Sequence, residues 1–331
     1  MIIKLTFKLF YKEYITRFNL EYRKSVHHTA PVSLYDPIHY ILKYPGKQIR
    51  PAFLAAVAYS LNDISFEKSF PAASCMEMVH NFTLVHDDIM DGDVLRHGME
   101  TVHSKWNKNL AILSGDGLFA RALAQLDPYA SDAELYASIM PLILQAVTIV
   151  CEGQALDMEF ESREDVELSE YLSMVEKKTA HLLAVSARIG AVIAGADKDE
   201  ELLVEKIIRE LGIVFQIQDD LLELTSDSAS MGKTLGSDLI KQKKTYPYLF
   251  AQQELDQVEW NKFLESISVT YIETHGLHDA RKILKDNFIF DRIREHITLR
   301  NVTIQELIKG LPKGSQEMFN EMVEFIMNRK K

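Results

Sequence analysis

The sequence predicts an all-α protein: one large helical bundle of ten or more helices, in a single domain spanning residues 1–331. Three observations lead there. Apolar side chains recur at intervals of three and four residues through most of the chain, as in Leu182, Leu183, Val185, Ile189, Val192 and Ile193, which is the period of a helix and not of a strand. The 331 residues include only 14 Gly and 9 Pro, too few for a turn-rich all-β fold. Breaks in the pattern leave segments that run to about 20 or 30 residues, with no Pro-, Ser- or Gly-rich linker and no internal repeat to divide them.

The elements follow in order. The start of the chain is apolar but interrupted by Lys4, Lys8, Lys12 and Glu13, so it lacks the continuous apolar core of a signal peptide. No later stretch approaches the ~18 consecutive apolar residues of a membrane-spanning helix, and no transmembrane segment is expected. Helices are expected between breaks at Pro31, at Pro45-Gly46, over 62–65, over 92–98, at Asp127-Pro128, over 196–199 and over 226–236. The segments 70–86 and 190–196 are apolar around most of their circumference, which marks central helices. The C-terminal third is more amphipathic and reads as an outer layer.

Composition narrows the function. Apolar residues make up 47% and charged residues 26%, an ordinary folded chain. The net charge of −11 repels a polyphosphate backbone, so nucleic acid is not an expected partner. Cys75 and Cys151 lie in apolar surroundings without metal or redox spacing, which fits a reducing cytoplasm.

The chemistry lies in two acidic helix ends. An apolar run over 78–85 leads into His86-Asp87-Asp88-Ile89-Met90-Asp91, and on a helix Asp87 and Asp91 share a face one turn apart while Asp88 projects about 100° away. One such cluster could equally be a solvated acidic helix end. A second copy shifts the balance: the apolar run over 211–218 leads into Asp219-Asp220-Leu221-Leu222-Glu223, with acids again at i, i+1 and i+4. All-oxygen sets of this kind suit Mg²⁺, which bridges protein carboxylates to substrate phosphates. Cations stand beside the helix breaks: Lys47 and Arg50 in Gly46-Lys47-Gln48-Ile49-Arg50-Pro51, then Lys178-Thr179, Lys233, and Lys243-Lys244. Each alone reads as a solvated charge; with the paired acids they form a phosphate-handling set.

In these residues the chain resembles the trans-isoprenyl diphosphate synthases (polyprenyl synthetases), archaeal short-chain type, from Gly46 to about Tyr248. The G-K-x-x-R-P motif is Gly46 to Pro51, and the first aspartate-rich motif is Asp87 to Asp91, followed by Arg96, Gly98 and Thr101-Val102-His103. Gly115-Asp116, Glu152-Gly153-Gln154, Lys178-Thr179-Ala180, Phe215-Gln216-x-x-Asp219-Asp220 and Gly232-Lys233-x-x-Gly236-Ser237-Asp238 follow in the family's order.

The resemblance implies an isoprenoid synthase-type bundle around a deep central cavity, with Asp87 and Asp219 facing each other at its mouth, and a homodimer. It implies that Lys47, Arg50 and His80 bind the diphosphate of isopentenyl diphosphate. It implies that Asp87, Asp88 and Asp91, with Asp219, Asp220 and Glu223 opposite, hold Mg²⁺ on an allylic diphosphate (dimethylallyl, geranyl or farnesyl). Arg96, Lys178, Thr179, Gln216, Lys233 and Lys243 would bind that diphosphate or stabilise the charge that forms. Ionising an allylic C–O bond demands such stabilisation and a dry apolar pocket. Two positions depart from the pattern: His97 stands where the family usually has a second arginine, and Glu223 replaces the third aspartate.

Chain length is read from the helix leading to Asp87. Phe82, five residues before it, is bulky, and Thr83, four before it, is small. That arrangement resembles the archaeal geranylgeranyl type, so a C20 product with some C15 is expected, unless Phe82 merely packs in the core. The other readings weighed are a class I terpene cyclase, which has no use for Lys47 and Arg50, and a non-catalytic partner subunit, which His97 favours and two intact acidic motifs oppose. A di-iron bundle on the Glu-x-x-His pairs Glu77/His80 and Glu100/His103 is a weaker alternative, as is a phosphohydrolase on His86-Asp87 with His80.

Overall fold

The computed structural model describes residues 6–44, 46–225 and 243–328. Its helices are α1 (Phe7–Tyr22), α2 (Val32–Lys43), α3 (Ile49–Asn62), α4 (Phe66–Asp91), α5 (Val102–Lys105), α6 (Lys108–Ala124), α7 (Ala133–Ser162), α8 (Leu168–Val175), α9 (His181–Ala194) and α10 (Lys198–Thr225). Six more follow: α11 (Tyr246–Glu254), α12 (Gln257–Ser266), α13 (Val269–His275), α14 (His278–Asp286), α15 (Ile289–Ile308) and α16 (Lys313–Met327). Among the described residues the strands are confined to one hairpin, β1 (Leu95–Arg96) and β2 (Met99–Glu100), paired antiparallel. The fold is all-α, with helix boundaries at or beside the breaks expected at Pro31, over 62–65, over 92–98, at Asp127-Pro128 and over 196–199; Pro45 lies outside the described residues. The break expected over 226–236 lies outside the described residues.

The chain divides into two compact units. The first comprises Met1–Thr148, Leu182–Ile208 and Leu307–Asn328; the second comprises Ile149–His181, Arg209–Glu306 and Arg329–Lys331. This division is finer than the single domain expected from the absence of a linker, because clusters of contacts need no linker to separate them.

In the first unit, α4 is the central helix. Ser65 caps it by accepting from the Lys68 amide, residues 71–79 are buried without a break, and Gly92 ends it with a positive φ of 66°. α1 buries Phe7, Phe10, Tyr14, Phe18 and Tyr22 at three- and four-residue spacing, with ring centroids 5.9 Å apart for Tyr14–Phe18 and 5.0 Å for Phe18–Tyr22. Arg188 of α9 pairs with Glu205 (2.7 Å) and Glu201 (3.2 Å) of α10, so these buried charges are satisfied. α6 and α7 leave Ile112, Leu113 and Leu144 exposed. α7 is also long and apolar enough to cross a membrane by length and composition. The sequence reading passed over it because scattered polar residues break any run of ~18 consecutive apolar ones.

In the second unit, α8 runs into a π-helical turn, Glu176–Ala180, before α9 begins. Such turns cost helix geometry and persist where surrounding structure demands them. Two glycines supply the room. A Cβ on Gly153 of α7 would lie 2.7 Å from Lys178 Cα and 2.9 Å from Lys177 C, and one on Gly212 of α10 would lie 2.7 Å from Ala180 Cα.

Candidate active site

The first unit gathers the residues of the first acidic motif and of the Gly46–Pro51 motif. Asp87, Asp88 and Asp91 occupy the last turns of α4. Arg96, on β1, reaches back to them: its Nε donates to Asp88 Oδ1, and its Nη2 lies 3.4 Å from Asp87 Oδ2 and 3.9 Å from Asp93 Oδ2. The hairpin makes this reach possible. His97 and Gly98 form its two-residue turn with φ of 52° and 78°, the positive pair of a primed turn that matches the twist of the strands. Burial pushes the Asp88 carboxyl up to about 6 even though Arg96 opposes it.

The same hairpin carries His97 to the Gly46 motif: a Cβ on Gly46 would meet His97 Nε2 at 3.3 Å. Gln48 turns left-handed there (φ 51°), and α3 starts at Ile49, so the exposed Lys47 precedes the helix N-terminus and Arg50 sits in its first turn. His80 of α4 is held well below its usual range by burial and by Arg50, Arg96 and His97 around it, so it is neutral at pH 7. Arg50, Arg96 and His97 therefore all lie close enough to act on His80, whereas the sequence reading expected Arg50 and His80 at one diphosphate and Arg96 at the other.

Sequence reasoning assigned Glu77 only to an alternative metal pair, and the structure gives it another setting. It is 2% exposed, and burial pushes its carboxyl up to about 7 while Arg50 pulls the other way. Arg50 in turn is pushed down to about 10 by burial, with Glu77 opposing. Glu77 Oε2 and Arg50 Nε are both buried and make no hydrogen bond among the described residues. Phe82 stacks edge-on to His86 (5.0 Å) and lies 5.2 Å from Phe119 of α6, while Thr83 Oγ1 donates to the His80 carbonyl at 2.8 Å.

In the second unit the π-helical turn and α10 hold the remaining residues. Lys178 Nζ pairs with Asp157 Oδ2 at 2.6 Å, and Lys177 with Glu152 at 2.7 Å. Thr179 Oγ1 donates to Gln216 Oε1 at 3.2 Å, and Gln216 Nε2 donates to Asp220 Oδ1 at 2.9 Å. Asp219 and Glu223 are half-buried near the end of α10, and Lys243 is half-buried just before α11. Lys233 lies outside the described residues. Asp157 and Tyr171, the latter donating its hydroxyl to Asp220 Oδ2, carried no signal in the sequence, because only the fold brings each to its partner.

The donor set is compatible with a hard divalent cation. Among the described residues no group of three or more acidic, His or Cys side chains converges as a metal cage. Mg²⁺ does not need one: it binds through one or two carboxylates and takes its other oxygens from phosphate and water. Asp87 and Asp91, one turn apart at the end of α4, offer that pair. Asp88 is committed to Arg96, and Asp220 is buried among hydrogen-bond donors.

Two helices ending in acidic motifs, with cations beside them, suit the handling of phosphate esters. A family model described as polyprenyl synthetase matches residues 31–280. The short chain isoprenyl diphosphate synthase of Methanocaldococcus jannaschii is 34% identical over 296 residues, covering 89% of each chain. The geranylfarnesyl diphosphate synthase of Natronomonas pharaonis is 35% identical, covering 90% of this chain and 91% of its own. The geranylgeranyl pyrophosphate synthetase structure from Pyrococcus horikoshii superposes with a TM-score of 0.85 at 31% identity, covering 97% of both chains. The chain belongs to the polyprenyl synthetase family.

Proposed function

We propose that this chain is a short-chain trans-prenyltransferase. It condenses isopentenyl diphosphate with dimethylallyl, geranyl and farnesyl diphosphates and releases chiefly geranylgeranyl diphosphate, with some farnesyl diphosphate, as a precursor for isoprenoid lipids. The family and the names of its relatives support prenyl transfer. The observation that carries the reading is the grouping of Arg50 and His97 around His80, with His97 beside Gly46, as donors distinct from the carboxylates that Arg96 pairs with, as a second diphosphate requires. A terpene cyclase has one diphosphate to bind and no use for it.

Lys47, Arg50, His80 and His97 bind isopentenyl diphosphate. Asp87, Asp91, Asp219 and Glu223 hold Mg²⁺, which when bound supplies Lewis-acid stabilisation of the departing diphosphate. Arg96, Lys178, Thr179, Gln216, Lys233 and Lys243 bind the allylic diphosphate. Asp88 orients Arg96, and the apolar flank of α4 at Phe82 receives the growing tail and excludes water. No dedicated protein base is assigned, since the released diphosphate can take the proton. The whole chain acts as one catalytic domain in the cytoplasm. It is a homodimer, whose contact covers the exposed Ile112, Leu113 and Leu144.

The test is purified protein with Mg²⁺, labelled isopentenyl diphosphate and each allylic primer, with the products hydrolysed and separated by length. A C20 alcohol that disappears with chelator, and that Asp87→Ala or Asp219→Ala lowers by orders of magnitude, supports the proposal. No prenyl product from any primer overturns it in favour of a non-catalytic partner subunit.

A further inference from the structure

Asp220 and Asp219 are neighbours in sequence and unlike in setting. Asp220 is 7% exposed, and its carboxylate meets at least three donors. Oδ1 accepts from Gln216 Nε2 at 2.9 Å; Oδ2 accepts from the backbone N–H of Tyr246 at 2.9 Å and from the Tyr171 hydroxyl. Tyr171 is itself 3% exposed, and its ring stands edge-on to that of Tyr246 at 6.1 Å. A carboxylate has about four acceptor positions, so three are taken before any cation arrives.

The consequence falls on Gln216. An amide facing a carboxylate must present its NH₂, because its carbonyl would set oxygen against oxygen. The carbonyl therefore points to Thr179, whose hydroxyl donates to it at 3.2 Å. One Gln216 N–H is spent on Asp220, and the other remains to donate to an anion. Asp220 fixes which way the amide points, and Asp220 is itself held by Tyr171 from α8 and Tyr246 from α11.

We propose that Tyr171 is a positioning residue for the allylic diphosphate: it anchors Asp220 as a hydrogen-bond hub that orients Gln216, and Asp220 is not a metal ligand. This rests on the reading above, in which Gln216 and Thr179 meet that diphosphate. Removing one hydrogen bond to a buried carboxylate loosens the hub without removing any group that touches substrate. Tyr171→Phe is expected to raise KM for the allylic substrate about tenfold and leave KM for isopentenyl diphosphate unchanged.

Three measurements decide it. Asp219→Asn raises the Mg²⁺ concentration needed for half-maximal rate, whereas Asp220→Asn and Tyr171→Phe do not. Calorimetric binding of inorganic diphosphate with Mg²⁺ weakens about tenfold in Tyr171→Phe. Gln216→Met, which leaves the Tyr171–Asp220 bond in place, shows the same weakening and serves if Tyr171→Phe does not fold. Amide exchange at Tyr246 quickens in Tyr171→Phe and Asp220→Asn. An Mg²⁺ requirement raised alike by Asp220→Asn and Asp219→Asn overturns the inference, as does diphosphate binding unchanged in Tyr171→Phe and Gln216→Met. A wild-type protein that binds diphosphate in this way yet makes no prenyl product refutes the proposed function alone.

Discussion

Gly153→Ala should destabilise the protein, against the ordinary expectation for a glycine inside a helix. In α7 the exchange gains helix propensity, worth about 1 kcal/mol when the new methyl meets nothing. Here it meets the backbone of the π-helical turn, at 2.7 Å from Lys178 Cα and 2.9 Å from Lys177 C. Backbone atoms cannot rotate aside as a side chain can, so α7 and the turn must separate by several tenths of an ångström. Overpacking of this kind costs about 1–3 kcal/mol, which cancels the propensity gain and leaves a net loss of up to about 2 kcal/mol. The displacement also moves Lys178 relative to Asp157, its partner at 2.6 Å. Under the proposed role of Lys178 at the allylic diphosphate, kcat should fall as well, since misplacing a catalytic group by about 1 Å can lower the rate 10²-fold. Gly314→Ala on α16 is the control, since a Cβ there meets nothing within 4 Å, and it should stabilise by up to about 1 kcal/mol. Urea unfolding and kcat on both variants give the test. Gly153→Ala as stable as Gly314→Ala, with wild-type kcat, would falsify the claim that glycine at 153 is required by the turn.

Other variants probe the rest of the site. Glu77 has its folded pKa raised from 4.5 to about 7, so its contribution is full below pH 4.5 and is lost as pH rises to about 7. The loss is about 3 kcal/mol, and Glu77→Gln should remove it; urea unfolding at pH 5 and pH 8 with equal slopes of stability in the two proteins would refute this. His97→Arg should lower KM for isopentenyl diphosphate more than it changes kcat, by restoring a permanently charged donor beside Gly46; an unchanged KM means that position 97 does not touch this substrate. Phe82→Ala removes the ring that lies 5.2 Å from Phe119 and should extend products beyond C20; an unmoved product distribution assigns the limit to another side chain.

The helices were legible because their boundaries rest on local chemistry. Ser65 and Gly92 bracket α4 in the sequence as they do in space, and within the largely apolar 70–86 segment residues 71–79 are buried without a break. The π-helical turn was not legible. Nothing in Glu176-Lys177-Lys178-Thr179-Ala180 disfavours an α-helix, and the turn's room is made by Gly153 and Gly212 on other helices. α7 misleads in the opposite direction: its composition fits a membrane, while its exposed Leu144 fits equally a contact with a second protein surface.

The acidic motifs show where reading by residue type stops. Spacing identified Asp87 and Asp88, and Asp219 and Asp220, as adjacent carboxylates that differ by a rotation of about 100° about the helix axis. That rotation decides their fates. In each pair the first aspartate stays half-buried, and the second turns into the protein and is taken up by fixed donors: Arg96 for Asp88, and Tyr171, Gln216 and Tyr246 for Asp220. A repeated D-D therefore encodes two jobs, a carboxylate available to a cation and a carboxylate that holds a neighbouring diphosphate-binding side chain in place. The second job is invisible in sequence because, Gln216 of α10 aside, its partners come from other elements, β1, α8 and α11.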